Sequence, residues 1–321
     1  MTLAEKLSEL QVGAVSPDEP LKNHCTWRIG GPADALAEPS SKEEIARLLA
    51  FVREEEIPLL VIGRGSNLLF SDKGFRGVVM KLGRRFSALS VEGTRVRAQS
   101  GVWVPGLARI IAGAGLSGFE HAAGIPGALG GLIVMNGGSL RRSAGENVRY
   151  VDALSRGGEF KRFAPDECGF SYRRSVFQDG GARAGWIILG AELGFEPSDR
   201  RTVRKACLDA LAERRGKFPL RLPNCGSVFT NDPKVYELAG PPGKIVEEAG
   251  LKGATVGGAM VSPLHANFIV NLGGASAADA LGLISLVRRR VFDRLGVWLD
   301  TEVRYASEDG TVIPASEACP R

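Results

Sequence analysis

The chain is predicted to be a mixed α/β (α+β) protein of two or three domains. Three observations carry this. The first third alternates short apolar runs with amphipathic helical patterns, the middle strings short β-like runs between many glycines, and the last third holds long helical stripes followed by an alternating stretch. At 321 residues the chain is also longer than one ordinary core sustains.

In chain order, Ser41 with Glu44 three residues later has the form of a capping box, and Ile45, Leu48, Leu49 and Val52 follow the spacing of a helix with one buried face. Pro58 is expected to end that helix. Leu59-Leu60-Val61-Ile62 and Gly77-Val78-Val79-Met80-Lys81-Leu82 are apolar runs set beside glycine, as in buried strands. Between about Arg84 and Phe195, β-like runs at Arg95–Ala98, Tyr150–Leu154 and Trp186–Leu189 are interrupted by a helix. Its apolar face is Leu107, Ile110, Ile111 and Ala114, with Gly115 as a left-handed cap. A helix is expected from Arg201 to Arg215, a second from Lys244 to Ala249, and a long third after a Ser276/Asp279 capping box. Val297 to Tyr305 alternates apolar and polar residues, the signature of a half-buried strand.

Composition narrows the function classes. Apolar residues at 44% and charged residues at 24% describe a globular protein rather than a disordered one. No apolar run approaches the roughly 20 residues of a membrane span, and the N-terminus lacks the apolar core of a signal peptide. Five scattered cysteines without a CxxC pair fit reduced thiols in a cytoplasm. The widely separated His24, His121 and His265 argue against a metal site. A net charge of +5 without a basic run interleaved with aromatics points to small anionic ligands rather than nucleic acid. Arg288-Arg289-Arg290 is expected on a solvated helix face. A monomer is expected.

Two glycine-rich loops have the chemistry of phosphate cradles. Gly63-Arg64-Gly65-Ser66-Asn67-Leu68 hangs off a strand end, where glycines let successive N–H groups converge on an anion; a tight strand–loop turn has the same appearance. Gly124-Ile125-Pro126-Gly127, with Gly130, places Pro126 where a helix could start and offer its N–H groups to a phosphate; close helix packing is the other explanation. Two such loops favour one large two-phosphate cofactor. Downstream, Ser227 lies in Cys225-Gly226-Ser227-Val228-Phe229, which is not the G-x-S-x-G context of a hydrolase nucleophile. It is better read as a proton donor. Tyr172-Arg173 and Glu302, each taken alone, look like ordinary surface residues.

Taken together and in order, His24–Ala33, Gly63–Leu69, Gly124–Gly127, Met135-Asn136, Tyr172-Arg173, Gly226–Phe229, Gly250–Gly253 with Gly257-Gly258, and Glu302–Arg304 resemble the UDP-N-acetylenolpyruvoylglucosamine reductase (MurB) family. The resemblance spans roughly residues 21–305. It implies an FAD-binding pair of subdomains of the vanillyl-alcohol-oxidase/PCMH type at 1–83 and 84–199, a substrate domain at 200–303, and residues 304–321 packing back on the first. It implies FAD as cofactor, held by the two glycine loops, and NADPH as co-substrate. Hydride would pass from FAD N5 to C3 of the enolpyruvyl group, with Ser227 protonating C2 and Arg173 and Glu302 stabilising the enolate-like intermediate. Lys217 and Asn231 match positions that contact the sugar nucleotide, Tyr172 is expected to line the same pocket, and His265 is a further candidate for substrate binding.

The sequence also departs from that family. Cys25 stands where threonine is usual, Thr230 where lysine is common, and Met135–Leu140 lacks the usual Ala-Gly-Ala-Tyr continuation. The short Arg173 to Trp186 segment, with the Gly-Ser-Val-Phe form, matches the subclass without an extra tyrosine-bearing loop. Two other activities compete: a flavin-dependent oxidase on the same scaffold, and a non-catalytic sugar-nucleotide-binding protein.

Overall fold

The computed structural model describes residues 1–178 and 185–320, so the Arg173 to Trp186 segment lies partly outside the described residues. The chain forms two compact units. The first comprises Met1–Glu19, Asp34–Arg64 and Gly77–Arg214; the second comprises Pro20–Ala33, Gly65–Arg76 and the chain from Arg215 onward. This differs from the expected division at 1–83, 84–199 and 200–303, because two early segments group with the C-terminal third. The physical reason is strand pairing: Leu68–Phe70 runs parallel to Arg304–Ala306, which also pairs antiparallel with Val312–Pro314.

The first unit holds two apolar cores. In one, Ile45, Leu48, Leu49 and Val52 of the helix Lys42–Glu54 pack with Val78 and Met80. They lie on a four-stranded sheet ordered Ala14–Pro20, Pro32–Glu38, Phe75–Lys81, Leu59–Ile62. The last two strands are parallel, with Leu59 opposite Val78. Burying each such side chain contributes about 1.5–3 kcal/mol. Ser41 caps the helix by accepting from Glu44 N at 3.1 Å, but Glu44 returns its carboxylate to Ser40 N rather than to the cap residue. The helix stops at Glu54, short of Pro58.

The other core lies on a five-stranded antiparallel sheet ordered Phe160–Phe163, Val148–Ser155, Trp186–Gly194, Arg95–Gln99, Leu89–Glu92. Its central strand carries a buried carboxylate, Glu192, which Arg97 neutralises at 2.8 Å. The helix Val104–Gly113 buries Val104, Leu107, Ala108, Ile111 and Ala112, while Ile110, expected on the apolar face, is exposed. Gly115 follows it at φ +73°. The expected helix at Arg201–Arg215 runs Arg200–Lys217.

In the second unit, the full capping box of Ser276 and Asp279 starts the helix Ala277–Leu295. That helix packs on the strands Thr255–Val256 and Ala259–Val261 of a three-stranded sheet completed by Ile269–Asn271. Arg289 and Arg290 are exposed, but Arg288 is tied to the carbonyls of Leu299 and Ser316. The helix expected at Lys244–Ala249 is Pro242–Glu248, and a further helix, Pro233–Ala239, precedes it without having been predicted. Residues 297–305 are not one strand. Burial alternates as expected, with Leu299, Thr301 and Val303 buried, yet only Arg304–Ala306 joins a sheet. Thr301 forms an isolated bridge to Phe229 instead.

Candidate active site

The two glycine loops approach each other in the first unit. A Cβ on Gly63 would lie 3.1 Å from Ala128 Cβ. Arg64 stands 5.9 Å from the centroid of the Trp103 ring, and Trp103 bridges Ala128. The Gly63 loop continues in the second unit, where Gly65 has φ +59° and a Cβ would meet His24 O at 2.4 Å. Glycine is therefore required at 65 both for its conformation and for its space. Ser66, Asn67 and Leu68 are half-buried, and Leu68 opens the strand.

The second loop departs from expectation. The helix begins at Leu129 and not at Pro126, because Ile125 N turns back onto Ala122 O and Gly127 N onto Ile125 O. Its first two N–H groups are taken: Leu129 N donates to Val102 O and Gly130 N to Ser100 O. Gly124 makes room for Arg214, whose Cδ would be 2.4 Å from an added Cβ. What the loop does present is Ser100, a residue the sequence reasoning passed over. Its hydroxyl is buried without a hydrogen-bond partner among the described residues, and its Cβ lies 2.9 Å from where a Cβ on Gly130 would sit. A buried hydroxyl without a partner is costly. One placed beside two glycine loops fits a bound group carrying its own polar atoms. The only sequence signal for it was a small residue at the end of the strand Arg95–Gln99.

Arg173 sits in the same unit at the tip of a turn in which Ser171 and Arg174 exchange both backbone hydrogen bonds at 3.1 Å. It has φ +55°, a strained conformation for a side-chain-bearing residue. The turn is over-determined: Asn136 Nδ2 donates to Ser171 O and Gln178 Nε2 to Arg173 O, while Arg173 Nη2 donates to Gly138 O. Tyr172 beside it is exposed. Burial, and then the Arg173 charge, push the Arg214 guanidinium below its ordinary value. Two neighbouring cations of this kind suit an anionic ligand.

Ser227 and Glu302 come together in the second unit. Gly226, at φ +85°, turns the chain into the motif, and its N–H donates to Asn224 Oδ1. Beyond it, Val228 N donates to Asn267 O, and Asn267 clamps Phe229 through both its side-chain atoms. Glu302 N donates to Val228 O at 2.8 Å and Thr230 N to Asp300 O, so the serine segment and the glutamate segment lie side by side. Asn67 of the first loop donates to Glu302 O. Cys225 beneath them is buried, and burial pushes its thiol well above the ordinary value, with the Glu302 charge adding to this. Cys25, the residue departing from the usual threonine, is buried and donates to Ile29 O.

A third cluster surrounds His265. Its ring meets Phe218 and Phe268 edge-on, and those two rings stack at 4.8 Å. Asn267 N donates to His265 Nδ1, which fixes Nδ1 as the acceptor. Burial, then the charges of Lys217 and Lys252, lower its pKa, leaving a neutral imidazole flanked by two ammonium groups. Lys252 was quoted in a motif but not assigned to the site. Asn231 Oδ1 is buried with no hydrogen-bond partner among the described residues. Thus Ser227, Glu302, Lys217, Asn231 and His265 belong to one unit, and Arg173 and Tyr172 to the other. Among the described residues no group of three or more His, Cys, Asp or Glu is arranged to hold a metal ion.

Comparison with known proteins gives the class first. Residues 33–164 match the family described as FAD binding domain, and residues 218–306 match UDP-N-acetylenolpyruvoylglucosamine reductase, C-terminal domain. The protein is an FAD-dependent oxidoreductase. Over 297 residues it is 47% identical to UDP-N-acetylenolpyruvoylglucosamine reductase 1 of Corynebacterium glutamicum, covering 92% of this chain and 88% of the relative. It is 44% identical over 292 residues to the reductase of the same name from Heliobacterium modesticaldum, covering 91% and 90%. The crystal structure of UDP-N-acetylenolpyruvylglucosamine reductase (MurB) from Thermus caldophilus matches with a TM-score of 0.75 at 32% identity, covering 91% of this chain and 98% of that one. The chain belongs to the UDP-N-acetylenolpyruvoylglucosamine reductase family.

Proposed function

We propose that this protein uses NADPH and bound FAD to reduce the enolpyruvyl ether of UDP-N-acetylglucosamine enolpyruvate to UDP-N-acetylmuramate, a step in peptidoglycan precursor synthesis. It acts on small molecules alone, as a cytoplasmic monomer; its five free cysteines suit a reducing compartment. FAD, when bound, supplies the hydride-transfer chemistry, and the Gly63–Leu68 loop, Ser100 and the Gly124–Gly130 loop are the residues that hold it. The observation that carries the reading is the pairing of the Ser227 segment with the Glu302 segment through Glu302 N and Val228 O.

Each residue has a chemical task. Serine is a weak acid in water, so Ser227 donates its proton only to a strongly basic carbon held within hydrogen-bond reach, as C2 becomes after C3 has accepted hydride. Arg173 offsets the negative charge that spreads onto the substrate carboxylate, and its strained, hydrogen-bonded turn keeps the guanidinium pre-oriented. Glu302, with Arg173, stabilises the enolate-like intermediate that forms before Ser227 gives up its proton. Lys217, Lys252 and neutral His265 bind the diphosphate, and Asn231 contributes its buried carbonyl oxygen to a donor on the sugar nucleotide. Tyr172 lines the substrate pocket.

The test is anaerobic. Purified protein should be yellow, bleach with NADPH, and recover its colour when the enolpyruvyl sugar nucleotide is added. A colourless protein that takes up no FAD would overturn the proposal, as would a reduced protein reoxidised by oxygen but not by that substrate.

A further inference from the structure

The Met135-Asn136 pair, one of the motifs that carry the family resemblance, has no task in the proposed function. Asn136 follows the helix Leu129–Val134 at φ +40°, a left-handed conformation that asparagine tolerates better than bulkier residues. It is buried, at 5% exposure, and both polar atoms of its side chain are in use. Nδ2 donates to Ser171 O at 2.8 Å, at the base of the turn that carries Arg173, and Oδ1 accepts from Gly145 N at 2.9 Å. The second bond closes the loop 137–145, together with Ala144 N donating to Gly137 O at 3.0 Å. Inside that loop lies Gly138, whose carbonyl accepts from Arg173 Nη2 at 3.1 Å. A Cβ on Gly138 would lie 1.8 Å from Arg142 O, so the loop folds tightly onto itself around that carbonyl.

Asn136 therefore reaches Arg173 by two routes. One runs through Ser171 O to the backbone of the turn. The other runs through Gly145 N and the closed loop to the carbonyl that the guanidinium grips. Arg173 at φ +55°, and Leu140 and Arg141 of the loop at φ +53° and +60°, hold backbone shapes that persist only where surrounding bonds over-determine them. Gln178 Nε2, by contrast, restrains the turn at Arg173 O and not the guanidinium.

We infer that Asn136 is the positioning residue for Arg173: its amide fixes the backbone of the turn and, through the loop 137–145, the direction of the guanidinium. The inference rests on the reading of Arg173 as the cation that offsets charge on the substrate carboxylate. Misplacing such a group by about 1 Å can cost on the order of 100-fold in rate, so the amide acts on the substrate step without touching substrate.

The experiment reads the two half-reactions of the holoenzyme separately, by anaerobic stopped-flow absorbance. It compares wild type with Asn136→Asp, Asn136→Gly, Arg173→Ala and the double variant Asn136→Asp/Arg173→Ala. Asn136→Asp keeps the side-chain shape and an acceptor for Gly145 N, but sets an oxygen against Ser171 O. Asn136→Gly accepts φ +40° without strain and removes both bonds, so it poses the same question if the aspartate disturbs folding. Each variant of Asn136 alone should retain flavin, with its reduction by NADPH within about twofold of wild type. Reoxidation by the enolpyruvyl sugar nucleotide should slow by about 10- to 100-fold. In the Arg173→Ala background, Asn136→Asp should add less than about twofold, because the group it positions is gone. Effects that multiply in the double variant overturn the inference, since Asn136 would then act by a route other than Arg173. So does equal slowing of both half-reactions or loss of flavin, which would assign Asn136 to general support of the fold. Reoxidation at the wild-type rate in both Asn136 variants overturns it as well. Reoxidation at the wild-type rate in Arg173→Ala would instead sink the reading of Arg173, and that variant alone shows it.

Discussion

Asn67 donates its side-chain amide to the backbone carbonyl of Glu302 at 3.1 Å, across 235 residues of sequence, while Arg304 N donates back to Asn67 O. A residue of the first glycine loop thereby fixes the segment that carries the candidate carboxylate.

Replacing Asn67 with alanine removes the side-chain bond and leaves the backbone bond in place. One neutral hydrogen bond contributes about 1 kcal/mol. The variant should fold, retain FAD and lose about fivefold or more in kcat/KM, measured by steady-state turnover together with the flavin absorbance per protein. Loss of flavin in parallel with activity would show that Asn67 serves the cofactor loop rather than Glu302.

Ser227→Ala should separate the two half-reactions. Flavin reduction by NADPH should proceed at the wild-type rate, while reoxidation by the enolpyruvyl sugar slows by about 10²–10⁴, the usual scale for a missing proton donor. Stopped-flow absorbance reads each half directly. Equal slowing of both would assign the serine a structural role.

Two left-handed glycines should respond differently to alanine. At Gly226, φ is +85° and an added Cβ meets nothing within 4 Å, so the cost is conformational alone, about 1–2 kcal/mol. At Gly65 the same strain is joined by a clash with His24 O at 2.4 Å. Gly226→Ala should therefore purify yellow with reduced turnover, and Gly65→Ala should purify without flavin or not fold. Absorbance and thermal melts distinguish the cases. The openness at Gly226 also shows that this glycine serves the turn rather than relieving a crowded contact.

Acid sensitivity should trace to His121. Its ring is buried with neither nitrogen hydrogen-bonded among the described residues, and burial, then the Arg142 charge, lowers its pKa from 6.5 to about 4. Between those values the unfolded chain binds a proton that the folded chain refuses, so stability falls as pH drops from 6.5 to about 4 and the loss is complete below that. The effect is on the order of 3 kcal/mol. His121→Leu should flatten this part of the stability profile in denaturant titrations at several pH values. An unchanged slope would place the proton uptake elsewhere.

Elements whose local signals agree with their packing were legible in the sequence. Ser276 with Asp279, and the apolar spacing from Leu283 to Val291, both describe the helix Ala277–Leu295. Where tertiary contacts decide, the sequence misled. Pro126 looks like a helix start, but the carbonyls of Val102 and Ser100 draw the first helical turn to Leu129 and Gly130. Val297 to Tyr305 alternates in burial, yet the neighbour it needs is a single bridge at Phe229, so most of it stays unpaired as a sheet strand. The helix Pro233–Ala239 had a cap in Asp232 but no apolar stripe, and periodicity cannot find a helix that buries nothing. At the site, the bond from Glu302 N to Val228 O joins the serine and glutamate segments, far apart in sequence, and only the family resemblance set them side by side in advance.

Arg304–Ala306 is the middle strand of its sheet, between Leu68–Phe70 and Val312–Pro314. During synthesis at ordinary rates, the Gly65–Arg76 stretch therefore waits roughly 10–50 s for its partner to leave the ribosome. Over that interval the nascent polypeptide carries an unmatched strand edge near its beginning, the kind of segment that chaperones shield. A premature stop anywhere before Arg304 would leave that edge open permanently. Such truncations should fail by aggregation or degradation rather than by loss of a catalytic group, even those that retain Ser227.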